Sequence, residues 1–136
     1  MKPLLFIAIV FLQMIMGAYS QEAPVERAIK GRAGQEIGIA IFTNILPDCG
    51  SGPLPTLRLV APPEHGKIVV KKVRLNATNV KQCLALEVPA LVAVYRSAAD
   101  FEGKDTAVLE VKTSQGVVRL QNFSITVSQG GVQQRI

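Results

Sequence analysis

Between Val25 and Ser128 no segment repeats its apolar residues at the three-to-four spacing of a helix. The chain instead alternates, in short β-branched runs cut by Gly, Pro, Asn and Asp. Thr106–Lys112 is the cleanest case. Ala107, Leu109 and Val111 fall on one side, and Thr106, Val108, Glu110 and Lys112 on the other. Successive side chains of a strand leave opposite faces, so a period of two marks a half-buried strand. A chain that reads this way along its length is expected to form an all-β domain.

The same pattern places strands at Val25–Lys30, Ile37–Thr43, Leu57–Val60, Lys67–Leu75, Leu91–Arg96, Thr106–Lys112 and Val117–Ser128. Short strands in this number favour a two-sheet antiparallel sandwich over a closed barrel. In Ile37–Thr43 the three isoleucines, Ile37, Ile39 and Ile41, are expected to face inward. In the last strand Val118 and Leu120 have one parity and Phe123, Ile125 and Val127 the other, which predicts a β-bulge near Gln121-Asn122. Arg32–Gln35 and Thr113–Gly116 read as turns. Pro62–Gly66 reads as a tight reversal, with Gly66 taking positive φ. Asn44–Pro55, with three prolines and two glycines, reads as a loop, and Asn76–Glu87 as a connection of undetermined form.

The two ends differ from this body. Lys2 precedes the apolar run Leu4–Ala18, and Ala18 and Ser20 stand at −3 and −1 before Gln21. That is the pattern of a signal peptide over residues 1–20. The rival is an uncleaved anchor, but the run is about 15 residues against the ~20 that a spanning helix needs, and Gln13 interrupts it. Residues 21–128 then form one sandwich domain and 129–136 a loose tail. The whole chain has 15 basic and 10 acidic residues; without Lys2 the balance is 14 − 10 = +4. No basic run interleaves with aromatics, so a nucleic-acid partner is not expected.

Cys49 and Cys83 are the two cysteines, and both lie in the exported part. In an oxidising compartment such a pair is expected to form one disulfide. On the chain-entropy model, closing a loop of about 35 residues stabilises by roughly 3–4 kcal/mol. No C-x-x-C suggests a redox couple.

Three stretches, "PPEHGKIVV" (62–70), "VYRSAADFEGKDTAVLEV" (94–111) and "GVVRLQNFSITV" (116–127), resemble the bacterial cadherin-like, immunoglobulin-like repeats. The resemblance covers about half the chain and centres on Phe101-x-Gly103-x-Asp105. The chain with its cysteine pair also resembles small secreted proteins of Gram-negative bacteria. What this implies is an immunoglobulin-like architecture; tandem copies, acidic calcium linkers and the tryptophan of antibody domains are absent from the sequence.

Within that motif Phe101 is expected to plug the end of the sandwich, Gly103 to take positive φ, and Asp105 to accept backbone N–H groups at a turn. A calcium site built from Asp100, Glu102 and Asp105 is the alternative. Hard cations want six to eight oxygens, and three acids around Lys104 supply too few. No metal or cofactor is expected. Two carboxyls across a substrate cleft, as a glycosidase needs, are not expected in so small a sandwich. His65 is the one histidine, set in a turn, with no second histidine for zinc and no G-x-S-x-G elbow for a serine nucleophile.

The densest charge is Lys67, Lys71, Lys72 and Arg74, with Lys81 beyond. Lysines on an exposed edge strand guard against edge-to-edge pairing. The functional alternative is a patch for an anionic partner. Asn76-Ala-Thr78 and Asn122-Phe-Ser124 match glycosylation sequons, which matter only in a eukaryotic source. The expected function is therefore a non-catalytic periplasmic or secreted binding module for an envelope protein or polysaccharide. Two alternatives stay open: an inhibitor or accessory subunit that inserts Asn44–Pro55, and a small envelope enzyme.

Overall fold

A computed structural model describes residues 23–77, 83 and 86–129. The expected leader 1–20, Lys81 and the tail beyond Gln129 lie outside them. Seven strands follow in order: β1 (Val25–Arg32), β2 (Ile37–Phe42), β3 (Thr56–Ala61), β4 (Gly66–Ala77), β5 (Leu86–Ser97), β6 (Gly103–Lys112) and β7 (Val118–Ser128). They make two sheets, β1-β7-β6-β3 and β2-β5-β4, packed as a sandwich and crosslinked by one disulfide. Every pairing is antiparallel except β1 with β7, which is parallel.

The inner faces meet in a cluster of Ile39, Ala40, Ala93, Tyr95, Leu109, Phe123, Ile125 and Val127, all buried. Full burial of a large apolar side chain contributes about 1.5–3 kcal/mol, so this layer is the main cohesive element. β6 buries Ala107, Leu109 and Val111 on the parity its alternation requires. At one margin β1 closes on β2 through Gly31, where any Cβ would run into the side chain of Ile37.

Several details differ from the sequence reading. The β6–β7 ladder runs without a break from Gly103↔Val127 to Lys112↔Val118, so there is no bulge at Gln121-Asn122. The inward row of β7 is Gln121, Phe123, Ile125 and Val127, while Val118 is 47% exposed at the hairpin end. Register shifts fall instead in β2, between Gly38 and Ala40, and in β3, between Leu59 and Ala61. The first turns Ala40 inward and leaves Ile41 61% exposed, because one extra residue reverses every side chain beyond it. Gly66 has no positive φ. It is required by close approach: a Cβ there would lie 2.5 Å from the Arg96 carbonyl oxygen and 2.6 Å from the Tyr95 ring.

β4 and β5 extend further than expected, through Ala77 and back to Leu86, and take in part of the undetermined connection. The buried side of β5 changes from Ser97, Tyr95 and Ala93 to Ala90 and Val88 with no register shift against β4. The change comes where β5 runs past Leu91, the last residue that β2 pairs.

Candidate functional site

The seven strands leave two sets of connections at opposite ends of the sandwich. One end holds 33–36, 62–65 and 98–102. The other holds 43–55, Cys83 and 113–117. Among the described residues, the candidate site residues lie at one of these ends, at the start of β6 or on β4.

At the first end Asp105 opens the inward row of β6 and is 3% exposed. Its Oδ1 accepts the backbone N–H groups of Glu64 and Thr106, both at 3.0 Å. Its Oδ2 accepts the N–H of His65 at 3.0 Å and the hydroxyl of Tyr95 at 2.7 Å. Burial on its own would raise the Asp105 carboxyl pKa, but these four donors outweigh it and hold the group below the usual carboxylate range. Tyr95 moves the other way: burial first, then the bond to Asp105, pushes its phenol well above its ordinary value. Phe101 stacks on His65 with ring centroids 4.1 Å apart and planes within 7°. Gly103 takes φ +136°, where a side chain is strained.

This corner ties β5 and β6 to the 62–65 turn. Both Asp105 oxygens face donors, and Asp100 and Glu102 are exposed. Among the described residues no three metal-ligating side chains come together. His65 is held as a stacking partner, with Nε2 3.9 Å from Glu64 Oε2.

The four basic residues of β4 are all exposed; Lys67 and Lys71 have one parity along the strand, Lys72 and Arg74 the other. Lys71 bonds Glu36 at 2.9 Å, and that bond and charge draw the Glu36 carboxyl down. Arg74 bonds Glu87 across the ladder at 2.9 Å. Lys67 and Lys72 have no ion pair among the described residues. Such exposed pairs contribute little to stability.

At the second end, Asn44–Pro55 is no plain loop. Leu46 N–H donates to the Gly50 carbonyl at 2.8 Å and Cys49 N–H to the Leu46 carbonyl at 2.9 Å. An Ile45↔Ser51 bridge and the Gly52-to-Asn44 bond at 2.8 Å continue the ladder. Asp48 Oδ1 accepts the Gly50 N–H at 3.0 Å. This is a small hairpin closed by a three-residue turn with a left-handed last residue. The β6–β7 turn repeats it: Thr113 N–H to Val117 at 2.8 Å, and Gly116 N–H to Thr113 at 2.9 Å. There the left-handed place belongs to Gly116, φ +85°; in the 46–50 turn it belongs to Cys49, φ +67°.

A non-glycine residue in that conformation costs about 1–2 kcal/mol. Cys49 is bonded to Cys83, with Cα atoms 5.6 Å apart. The roughly 3–4 kcal/mol of the crosslink exceeds the backbone cost, so the crosslink wins. The bond fits an oxidising extracellular or periplasmic compartment.

Between this hairpin and the β6–β7 turn lies a cleft of about 250 Å³ lined by Phe42, Thr43, Asn44, Pro53, Pro55, Val111, Thr113, Ser114 and Gln115. Sequence reasoning found the 44–55 half and missed the other half, since nothing in "TSQG" announces more than a turn. It also missed Tyr95, whose hydroxyl gives no signal in an apolar strand, and Gln121. Gln121 is 8% exposed, and its Oε1 has no hydrogen-bond partner among the described residues.

Compared with known proteins, the chain matches no family model, no curated protein and no solved structure.

Proposed function

We propose that this chain is a secreted or periplasmic, non-catalytic binding module of immunoglobulin-like architecture. It engages an extracellular or envelope protein or polysaccharide through its disulfide-pinned end. The observation that carries this reading is an exposed segment held rigid. Leu46, Pro47 and Asp48 stand in solvent at the tip of the 44–52 hairpin. Their base is fixed by the Leu46–Gly50 and Cys49–Leu46 backbone bonds and by Cys49–Cys83. A loop whose backbone is held before contact loses less freedom on binding.

Strand order supports the architecture. With β2-β5-β4 in one sheet and β3-β6-β7 in the other, it follows the seven-stranded immunoglobulin layout, the first strand having moved beside the last. Connections 43–55 and 113–117 then take the places of two of the three loops that form the recognition site in variable domains. That correspondence is architectural, and the recognition role is inferred from the loop itself. The polar groups best placed for chemistry serve the scaffold: Asp105 meets four donors, and His65 is stacked on Phe101.

Crosslinking capture from the native envelope tests the reading. Leu46→Arg should remove the captured partner, while Lys71→Glu with Lys72→Glu should keep it. Equal capture by the Leu46→Arg variant would refute recognition through this end. The exposed tip also suits an inhibitor, which would show itself as saturable loss of a target enzyme's activity.

A further inference from the structure

We infer that the cleft between the 43–55 connection and the β6–β7 turn is a binding site for a neutral sugar ring. This rests on the reading of the disulfide-pinned end as the recognition end, and names the chemistry it recognises. In a chain of 15 basic and 10 acidic residues, none of the nine lining side chains is charged. An ionic ligand would find no counter-charge here, and burying a charge without one is costly.

The lining divides into two kinds. Phe42, Pro53, Pro55 and Val111 present flat or branched apolar surface. Thr43, Asn44, Thr113, Ser114 and Gln115 present hydroxyls and amides. Hydroxyl and amide groups both donate and accept hydrogen bonds, as do the hydroxyls of a sugar. A pyranose has the matching division, with an apolar C–H face and a polar rim. Sites of this type, mostly apolar with a few oriented polar groups, are the common design for small neutral ligands. The cleft, about 250 Å³, is below the usual drug-sized range of roughly 300–1,000 Å³ and suits one ring, such as the end of a glycan.

Its walls are held in place. Asn44 Nδ2 donates to the Pro53 carbonyl at 2.9 Å, which fixes one wall and leaves Asn44 Oδ1 to accept from a ligand. Thr113 Oγ1 accepts the Val117 N–H at 3.1 Å and fixes the other. Gln121, on the diagonal from Val111 in the β6–β7 ladder, is a buried acceptor that no described residue satisfies.

The test is an amide-resolved NMR titration of the oxidised protein with glucose, galactose, N-acetylglucosamine and cellobiose, with glucuronate as the charged comparator. Neutral sugars should shift the amides of 42–44 and 113–115, and Ser114→Arg, at an exposed turn position, should weaken binding at least tenfold. No shift at about 10 mM, well above a millimolar Kd, would overturn the inference, as would glucuronate binding equally well or shifts confined to other surfaces. If sugars fail while Leu46→Arg still abolishes envelope capture, the module reading survives and only the saccharide assignment falls.

Discussion

The two ends of this sandwich are closed by different chemistry. At the Asp105 end a single buried carboxylate gathers Tyr95 from β5, the N–H groups of Glu64 and His65, and its own neighbour Thr106. Further bonds knit the same end: Ala98 N–H to the His65 carbonyl at 2.9 Å, Ala33 N–H to Ser128 at 2.9 Å, and Gln129 Nε2 to Phe101 at 3.2 Å. Polar atoms there are turned onto the protein itself. At the Cys49 end a covalent bond is added to the short bonds of the 44–52 hairpin, and Leu46, Pro47 and Asp48 at its tip stay exposed. The covalent tie adds its hold without engaging a further polar side chain, whereas the other lock occupies the Asp105 carboxylate and the Tyr95 hydroxyl. The exposed tip at 46–48 is the surface proposed above for recognition.

The largest effect that separates the ends is expected from Asp105→Ala. Four donors lose their acceptor in a buried site, and the loss should be about 4 kcal/mol, since each orphaned buried donor costs about 1–3 kcal/mol. A change below about 1 kcal/mol in urea unfolding would show that the corner is not the lock described. Next comes the covalent end. Cys49→Ser with Cys83→Ser should cost about 3–4 kcal/mol, and hydrogen exchange should rise around 44–52 while the amides of 64–65 stay protected. Cys49→Gly with Cys83→Ser should lie about 1 kcal/mol above that double serine variant, because glycine removes the left-handed backbone cost. Equal stabilities would mean that Cys49 bears none.

The Asp105–Tyr95 contact should also set two pH limits. Asp105 is held below its unfolded value of about 3.9, so its contribution is present above that pH and is lost as pH falls through the lower folded value. Tyr95 is raised above its unfolded value of about 10, so its contribution is full below pH ~10 and is lost on going higher. Tyr95→Phe should cost about 1.5 kcal/mol at neutral pH and flatten the alkaline limb in pH-dependent melting. A retained limb would assign it to another group. The smallest effect is a gain: Gln121→Leu should stabilise by about 1 kcal/mol, since it removes an unsatisfied buried acceptor. Destabilisation would reveal a partner for Oε1.

How much of this was legible follows from how far each interaction reaches along the chain. The alternation of Thr106–Lys112 is local, and β6 buries the side it names. Bulges are not local, because a bulge is a count of residues on two strands. The isoleucine pattern of β2 therefore hid the break at Ile39, and the parity change in β7 pointed to one that does not exist. Val118 misled because it is apolar yet lies at the hairpin end, beyond the cover of the opposite sheet. Asp105 could be read as a turn acceptor, but two of its donors are 40 and 41 residues away and Tyr95 is 10 away. The cysteine pair was readable from number and compartment alone. The cleft was not, since Phe42 at the end of β2 and Ser114 in the β6–β7 turn belong to different sheets and meet only once the sheets are packed.

The division of labour between the ends has one direct test. Photo-crosslinking residues placed at positions 46, 115 and 64 in the disulfide-bonded protein would be activated in the extracellular or periplasmic setting proposed for it. Specific adducts from 46 and 115, with none from 64, are the expected result. Adducts from 64 alone would contradict it, placing recognition on the Asp105 corner and leaving the disulfide-pinned end as scaffold.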